Sequence, residues 1–346
     1  MIVLCTMQLT LAQNVCKLLF FVALFTGCVE QSATVYVAGW KVDELHKNVR
    51  KATLWKNGIE QRFTGGKYTD AVALSVFVSE NNDVYVAGYD LTLMSSVTKL
   101  WKNGEDQYLN EGVVFSEASS VFVENNIVYI AGRESNVAKI WIDGVAQSLT
   151  DGTYNARALS VYVSDNDVFI AGREQNEQKI DVAKLWKNGI EQSLTDGTYN
   201  ASALSVHVSE NDVYVAGYEE NSRGCSIAKL WVNGTEQNLT NGNYNAKANH
   251  VFLLNNDVYI AGYEYITTRR SIAKLWKNGI PQNLTDGTTM VVAIAYSAYV
   301  LNNDVYVVGT EQNDEGAYVA RLWKNGIVSN LSSGKRDAMA FSVFVK

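Results

Sequence analysis

Proline is almost missing from this chain. One stands among 346 residues, against 25 glycines, which excludes proline-rich linkers and low-complexity tails. Cysteine is scarce and badly placed for bridging. Cys5, Cys16 and Cys28 crowd the first 28 residues, and if Cys28 carries a lipid, Cys225 is left alone. Neither an internal disulfide nor a cysteine-based metal site can then form. Histidine occurs three times, at His46, His207 and His250, in unrelated contexts, so no triad or zinc set is legible. Basic runs are lacking and the net charge is −7, which argues against a nucleic-acid partner. No stretch of the repeated part holds a 3.6-residue apolar period, so a helical solenoid is excluded. GxSxG, HExxH and phosphate-loop motifs are absent as well.

What is present is one sentence written seven times. The tryptophan of "AKLWKNG" recurs as Trp55, Trp101, Trp141, Trp186, Trp231, Trp276 and Trp323, at spacings of 40 to 47. The glycine closing "VYVAG" recurs as Gly39, Gly88, Gly132, Gly172, Gly217, Gly262 and Gly309. From each tryptophan to the next such glycine the distance is 31 or 33, whereas from glycine to tryptophan it drifts from 9 to 16. The unit therefore has a fixed core and one variable loop.

Each unit contains four short β-like runs: a ("SVFV"), b ("DVYVAG"), c ("AKLW") and d ("QSLT"). Polar tips such as "SEND" join a to b. Asn-Gly joins c to d and supplies the two positive-φ residues of a type I′ hairpin turn. Four-stranded repeats of this length predict an all-β fold of β-propeller blades. The chain begins its repeats with run b and ends them with run a. As an open row it would leave unpaired edges at both ends, a liability that closure removes. The expectation is a seven-bladed β-propeller of four-stranded antiparallel blades, its ring closed one-plus-three by the two termini.

"SVYVSDNDVFIAG" followed by "VAKLWKNG" resembles the WD40 blade pattern over residues 34–346. The likeness departs where that family is most diagnostic. Lys56, Ile142 and Val232 follow the tryptophan where Asp is expected, and no Gly-His precedes run a. The chain looks most similar to bacterial exported tandem-repeat propellers. That resemblance implies the fold strongly and the function hardly at all.

The first 28 residues are of another kind. Lys17 precedes the apolar run "LLFFVALFTG" and Cys28, the layout of a secretory signal. "FTGC" resembles a bacterial lipobox, with Cys28 as the lipidated residue. The alternatives are a plainly cleaved signal and an uncleaved anchor, for which the run is short. The expected organisation is a signal at 1–28 and a single propeller at 29–346. The expected location is the cell envelope, with membrane contact only through the lipid.

The candidate residues divide into structural and binding sets. The seven tryptophans sit mid-strand, where neighbouring blades cover them, so core packing is expected. Asp90, Glu134, Glu174, Glu219, Glu264 and Glu311 follow "AG". They match Lys99, Lys139, Lys184, Lys229, Lys274 and Arg321 of run c. The first unit breaks both together, with Lys41 and Thr53, as cross-strand pairs require. Such pairs, read as exposed, would add little. The "SENND" tips lack the glycine and distal glutamate of a calcium loop and read as turns.

Tyr68, Phe115, Tyr154, Tyr199 and Tyr244 lie in the d–a links, and Tyr89, Tyr218 and Tyr263 directly follow "AG". Strand parity places both sets on the face that also carries the variable b–c loops. They are the candidate ligand-binding residues, with blade capping as the alternative. The expected function is a non-enzymatic, monomeric exported protein binding a protein or glycan there. It needs no catalytic residue, cofactor or metal. A hydrolase or lyase sited on the same face, for which the long loop 40–51 would be the place, and a purely structural surface repeat are the alternatives.

Overall fold

A computed structural model describes residues 33–46, 49–63, 70–91, 95–110, 115–287 and 291–346. The expected signal at 1–28, with Cys28, lies outside the described residues. The unit Thr34–Lys346 holds 28 strands in seven four-stranded antiparallel sheets. Six are continuous in sequence, and we number them blades 1 to 6: 70–108, 116–148, 156–193, 201–238, 246–283 and 293–330. Blade 7 is composite. Its strand a is Ala338–Val345, and strands b to d are Val35–Val42, Arg50–Lys56 and Ile59–Arg62. Each strand a packs against strand a of the next blade, and Ala338–Val345 packs against Asp70–Val78. The fold is a seven-bladed β-propeller. Where other blades have an a–b turn, Thr34 and Lys346 exchange two backbone hydrogen bonds of 2.6 and 3.0 Å.

The tryptophans are the wedges between blades. All seven are at most 1% exposed. Trp231 of blade 4, for example, packs on Phe169 and Leu185 of blade 3. The acid–base pairs of strands b and c form as the pattern predicts, in all six blades that carry them. They are less exposed than expected. Lys99 and Asp90 are 0% and 3% exposed, because strand c is the third of four and its faces are covered by neighbouring blades. Blade 7, which lacks both partners, pairs Lys41 with Glu60 of strand d instead.

Every strand a carries a bulge at the residue before its serine or the equivalent position. These residues are Leu74, Ser119, Leu159, Leu204, Asn249, Tyr296 and Phe341. The carbonyl two residues before the bulge lies against strand b, and this explains "AG". A Cβ on Gly172 would stand 2.0 Å from the Arg157 oxygen, and the other six glycines are equally crowded. Only glycine allows that approach.

The serine of "SVFV" also acquires a purpose. The inner edge of strand a faces the axis and needs its amides satisfied. Ser160 Oγ accepts from the Val206 N–H of the next blade, at 3.2 Å. The same bond runs from every blade to the next, with His250 Nδ1 replacing serine in blade 5. Seven hydrogen bonds thus circle the axis. Pro281, the lone proline, stands in the outermost strand of blade 5, the place in a sheet where a missing N–H does least harm.

Candidate functional site

Strand order places the b–c loops and d–a links on one face, here called upper, and the a–b and c–d turns on the lower. The upper rim is tied down by its own side chains. In blade 3 the Asn176 Nδ2 donates to the Gly197 oxygen at 3.1 Å, joining the b–c loop to the d–a link. Blades 4 and 6 repeat the bond through Asn221 and Asn313. "SLTDGTY" is link chemistry too. Thr195 Oγ1 accepts from the Ala183 N–H, and Asp196 accepts from the Thr198 N–H.

Two rings of side chains line the axis. The lower is an aromatic belt: Phe77, Phe122, Tyr162, His207, Phe252, Tyr299 and Phe344. Neighbouring ring centroids are 4.4–5.2 Å apart, and the circuit is closed. The position of His207 within "SVHV" reads as free to vary in the sequence. The structure corrects this, since the slot takes a planar ring in every blade. Burial, with a smaller contribution from His250, holds His207 down at about 3. Burial holds His250 down at about 4, which keeps its Nδ1 available as an acceptor.

Above the belt lies the ring of seven bulge residues. It floors a cavity of about 380 Å³ walled by Tyr89, Glu117 and Arg157. Around this mouth the blades differ, because the residue pairs across the a–b ladder just above each bulge are not repeated. They include Val72 with Tyr89, Glu117 with Arg133, Arg157 with Arg173, Ser202 with Tyr218, and Lys247 with Tyr263. One arc is therefore charged. Arg157 Nη1 lies 3.0 Å from Glu117 Oε1, Arg133 shares that carboxylate, and Arg173 pairs with Asp181. The other arc is aromatic. Tyr296 meets Phe341 edge-on at 4.9 Å, and Tyr263 meets Tyr265 at 5.8 Å. Burial above all, then neighbouring phenols, pushes Tyr263 far above its ordinary range and Tyr296 up to about 12. Both are neutral hydroxyls at any physiological pH.

The predicted site residues separate here. Tyr89 lines the cavity. Tyr218 lies under the Lys247 ammonium, 3.8 Å from its ring centroid. Tyr263 is within electrostatic reach of Tyr218 and Tyr296. Phe115, Tyr199 and Tyr244 are exposed and Tyr154 is half-buried; none of the four lines the cavity. Tyr68 lies outside the described residues. Sequence reasoning missed Arg157, Lys247, Tyr296 and Phe341. Their signal was the break in periodicity at the positions one and three residues before each run a. Among the described residues no group of three or more His, Cys, Asp or Glu side chains is placed to hold a metal.

No family model matches the chain, and no curated protein matches it. Solved structures do match. The β-propeller domain of the trilobed protease from Pyrococcus furiosus aligns with a TM-score of 0.52 and 11% identity. The match covers 87% of this chain and 95% of that one. Tricorn protease aligns at 0.50 and 8% identity, over 90% of this chain but 35% of its own. The extracellular domain of a one-component system from B. thetaiotaomicron aligns at 0.47 and 10% identity, over 78% of this chain and 34% of its own. The chain thus spans about a third of the length of the last two. At such identities the likeness is one of fold alone.

Proposed function

We propose that this protein is a non-enzymatic, exported binding protein that seats a glycan in the upper axial mouth. The cavity between the aromatic and the charged arc carries this reading. Its size falls within the range of small-ligand sites, and it combines apolar walls with a few convergent polar groups. Aromatic rings beside hydrogen-bonding side chains suit a sugar, which has an apolar face and a polar rim. A concave site on the axis favours a sugar over a protein, whose interface would need a broad patch of about 800 Å² on this side. The mouth's carboxylates are engaged by arginines, which weighs against a free general base there. The leader at 1–28 supports export, with attachment at Cys28 as the finer form of that proposal.

A glycan array probed with the purified protein tests the reading. Binding is expected, and the double variant Tyr89→Ala/Tyr296→Ala should lose it while keeping a cooperative melt. A lower-face variant, Asn125→Ala/Asn126→Ala, should retain it. Loss of binding in the lower-face variant alone, or an array with no bound glycan, overturns the proposal.

A further inference from the structure

The charged arc is incompletely matched. Arg133 and Arg157 share Glu117 at 3.4 and 3.0 Å, and Arg173 takes Asp181. Lys247, from blade 5, has no carboxylate within ion-pair distance among the described residues; its ammonium rests on Tyr218. Glu220, the other acid in electrostatic range of Lys247, accepts from Asn200 at 3.0 Å. Arg157 forms part of the cavity wall, and its Nε is buried without a hydrogen-bond partner among the described residues. Burial, then the like charge of Arg173, acts against the charge on Lys247. Burial acts the same way on Arg157. Cations partly removed from water and only partly neutralised favour an added anion.

We infer that the sugar unit in this cavity carries a carboxylate, as a uronic acid does, and that the carboxylate is held by Arg157. The inference rests on the glycan reading above. The planar fork of Arg157 matches the two oxygens of a carboxylate, and Lys247, within electrostatic range of Arg173, adds to the positive charge of the arc. The apolar face of the same sugar rests on the arc of Tyr296 and Phe341, so one residue of the chain satisfies both arcs.

Titration calorimetry on the full-length protein tests this with three probes: a galacturonate trisaccharide, its methyl ester, and an O-sulfated neutral trisaccharide. The ester keeps the shape and removes the charge. The acid should bind about tenfold more tightly than the ester at low salt, the scale of one charge-assisted hydrogen bond. High salt should narrow the gap. Arg157→Gln should remove most of it, whereas Arg157→Lys, which keeps the charge and loses the fork, should keep part of it. Should Arg157→Gln fail to fold, Arg157→Lys decides alone, and its gap should be smaller than that of the unaltered protein. Equal binding of acid and ester overturns the inference and leaves the glycan reading standing. So does tighter binding of the sulfated probe, or a gap left unchanged in the Arg157 variants. Binding of neither trisaccharide form, with a neutral glycan captured on the array, also overturns it. Binding of neither with an empty array overturns the glycan reading as well.

Discussion

At the scale of single residues, two histidines have taken over duties that other blades give to other side chains. His207 replaces a phenyl or phenol ring in the belt, and His250 replaces a serine acceptor. Both are held neutral, at about 3 and about 4, chiefly by burial along the axis. In the unfolded chain each returns to about 6.5. The unfolded state therefore takes up more protons below that value, and stability present above pH 6.5 is lost as pH falls toward 4. The expected loss at pH 5 is roughly 1–2 kcal/mol for each histidine. Thermal melts between pH 7 and pH 5 check this. The variant His207→Phe/His250→Ser, which writes the other blades' residues back in, should flatten the decline. A decline of unchanged steepness would put its origin elsewhere.

At the scale of the element, strand a is the unusual one. It is bulged, it forms the inner edge, and it uses its serine to reach the next blade. Two glycines near it separate two reasons for having no side chain. Gly172 has ordinary φ but faces the Arg157 oxygen, whereas Gly189 has φ of +79° and open space around it. Gly172→Ala must push two strands apart and should cost about 3 kcal/mol or more. Gly189→Ala meets only backbone strain, about 1–2 kcal/mol. Denaturant titration of both should rank them in that order, and the reverse ranking would remove the bulge as the cause of "AG". The alternation of Val and Tyr, the Asn-Gly turns and the paired Glu and Lys made the strands legible in the sequence, because each is a contact between near neighbours in the chain. The Ser160 to Val206 bond was not legible. It joins residues 46 apart, and nothing local to "SVFV" says what lies beside it.

At the scale of the whole molecule, repetition reveals the ring and conceals the mouth. Seven near-identical units predicted the blade count, since only closure satisfies the edge strands. The mouth is made where units disagree, by Glu117, Arg157, Tyr296 and Phe341, each from a different blade. A consensus averages those residues away. The same repetition bears on how long the protein lasts. An asparagine followed by glycine ages chemically. The glycine nitrogen attacks the side-chain carbonyl carbon, ammonia leaves, and the resulting ring opens to aspartate or isoaspartate. Six c–d turns carry that pair. In each, Oδ1 accepts the N–H that opens strand b. In five, Nδ2 is also tied to an aspartate: Asn103, Asn188, Asn233, Asn278 and Asn325 to Asp83, Asp167, Asp212, Asp257 and Asp304. Asn57 lacks that second tether, because Thr34 occupies the aspartate's place. Peptide mapping by mass spectrometry after storage of the folded protein at mildly alkaline pH should therefore find Asn57 converted first among the six. Equal conversion at all six would mean that the aspartate tether confers no protection, and the shelf life of the ring would be set by all six hairpins alike rather than by its one unguarded seam.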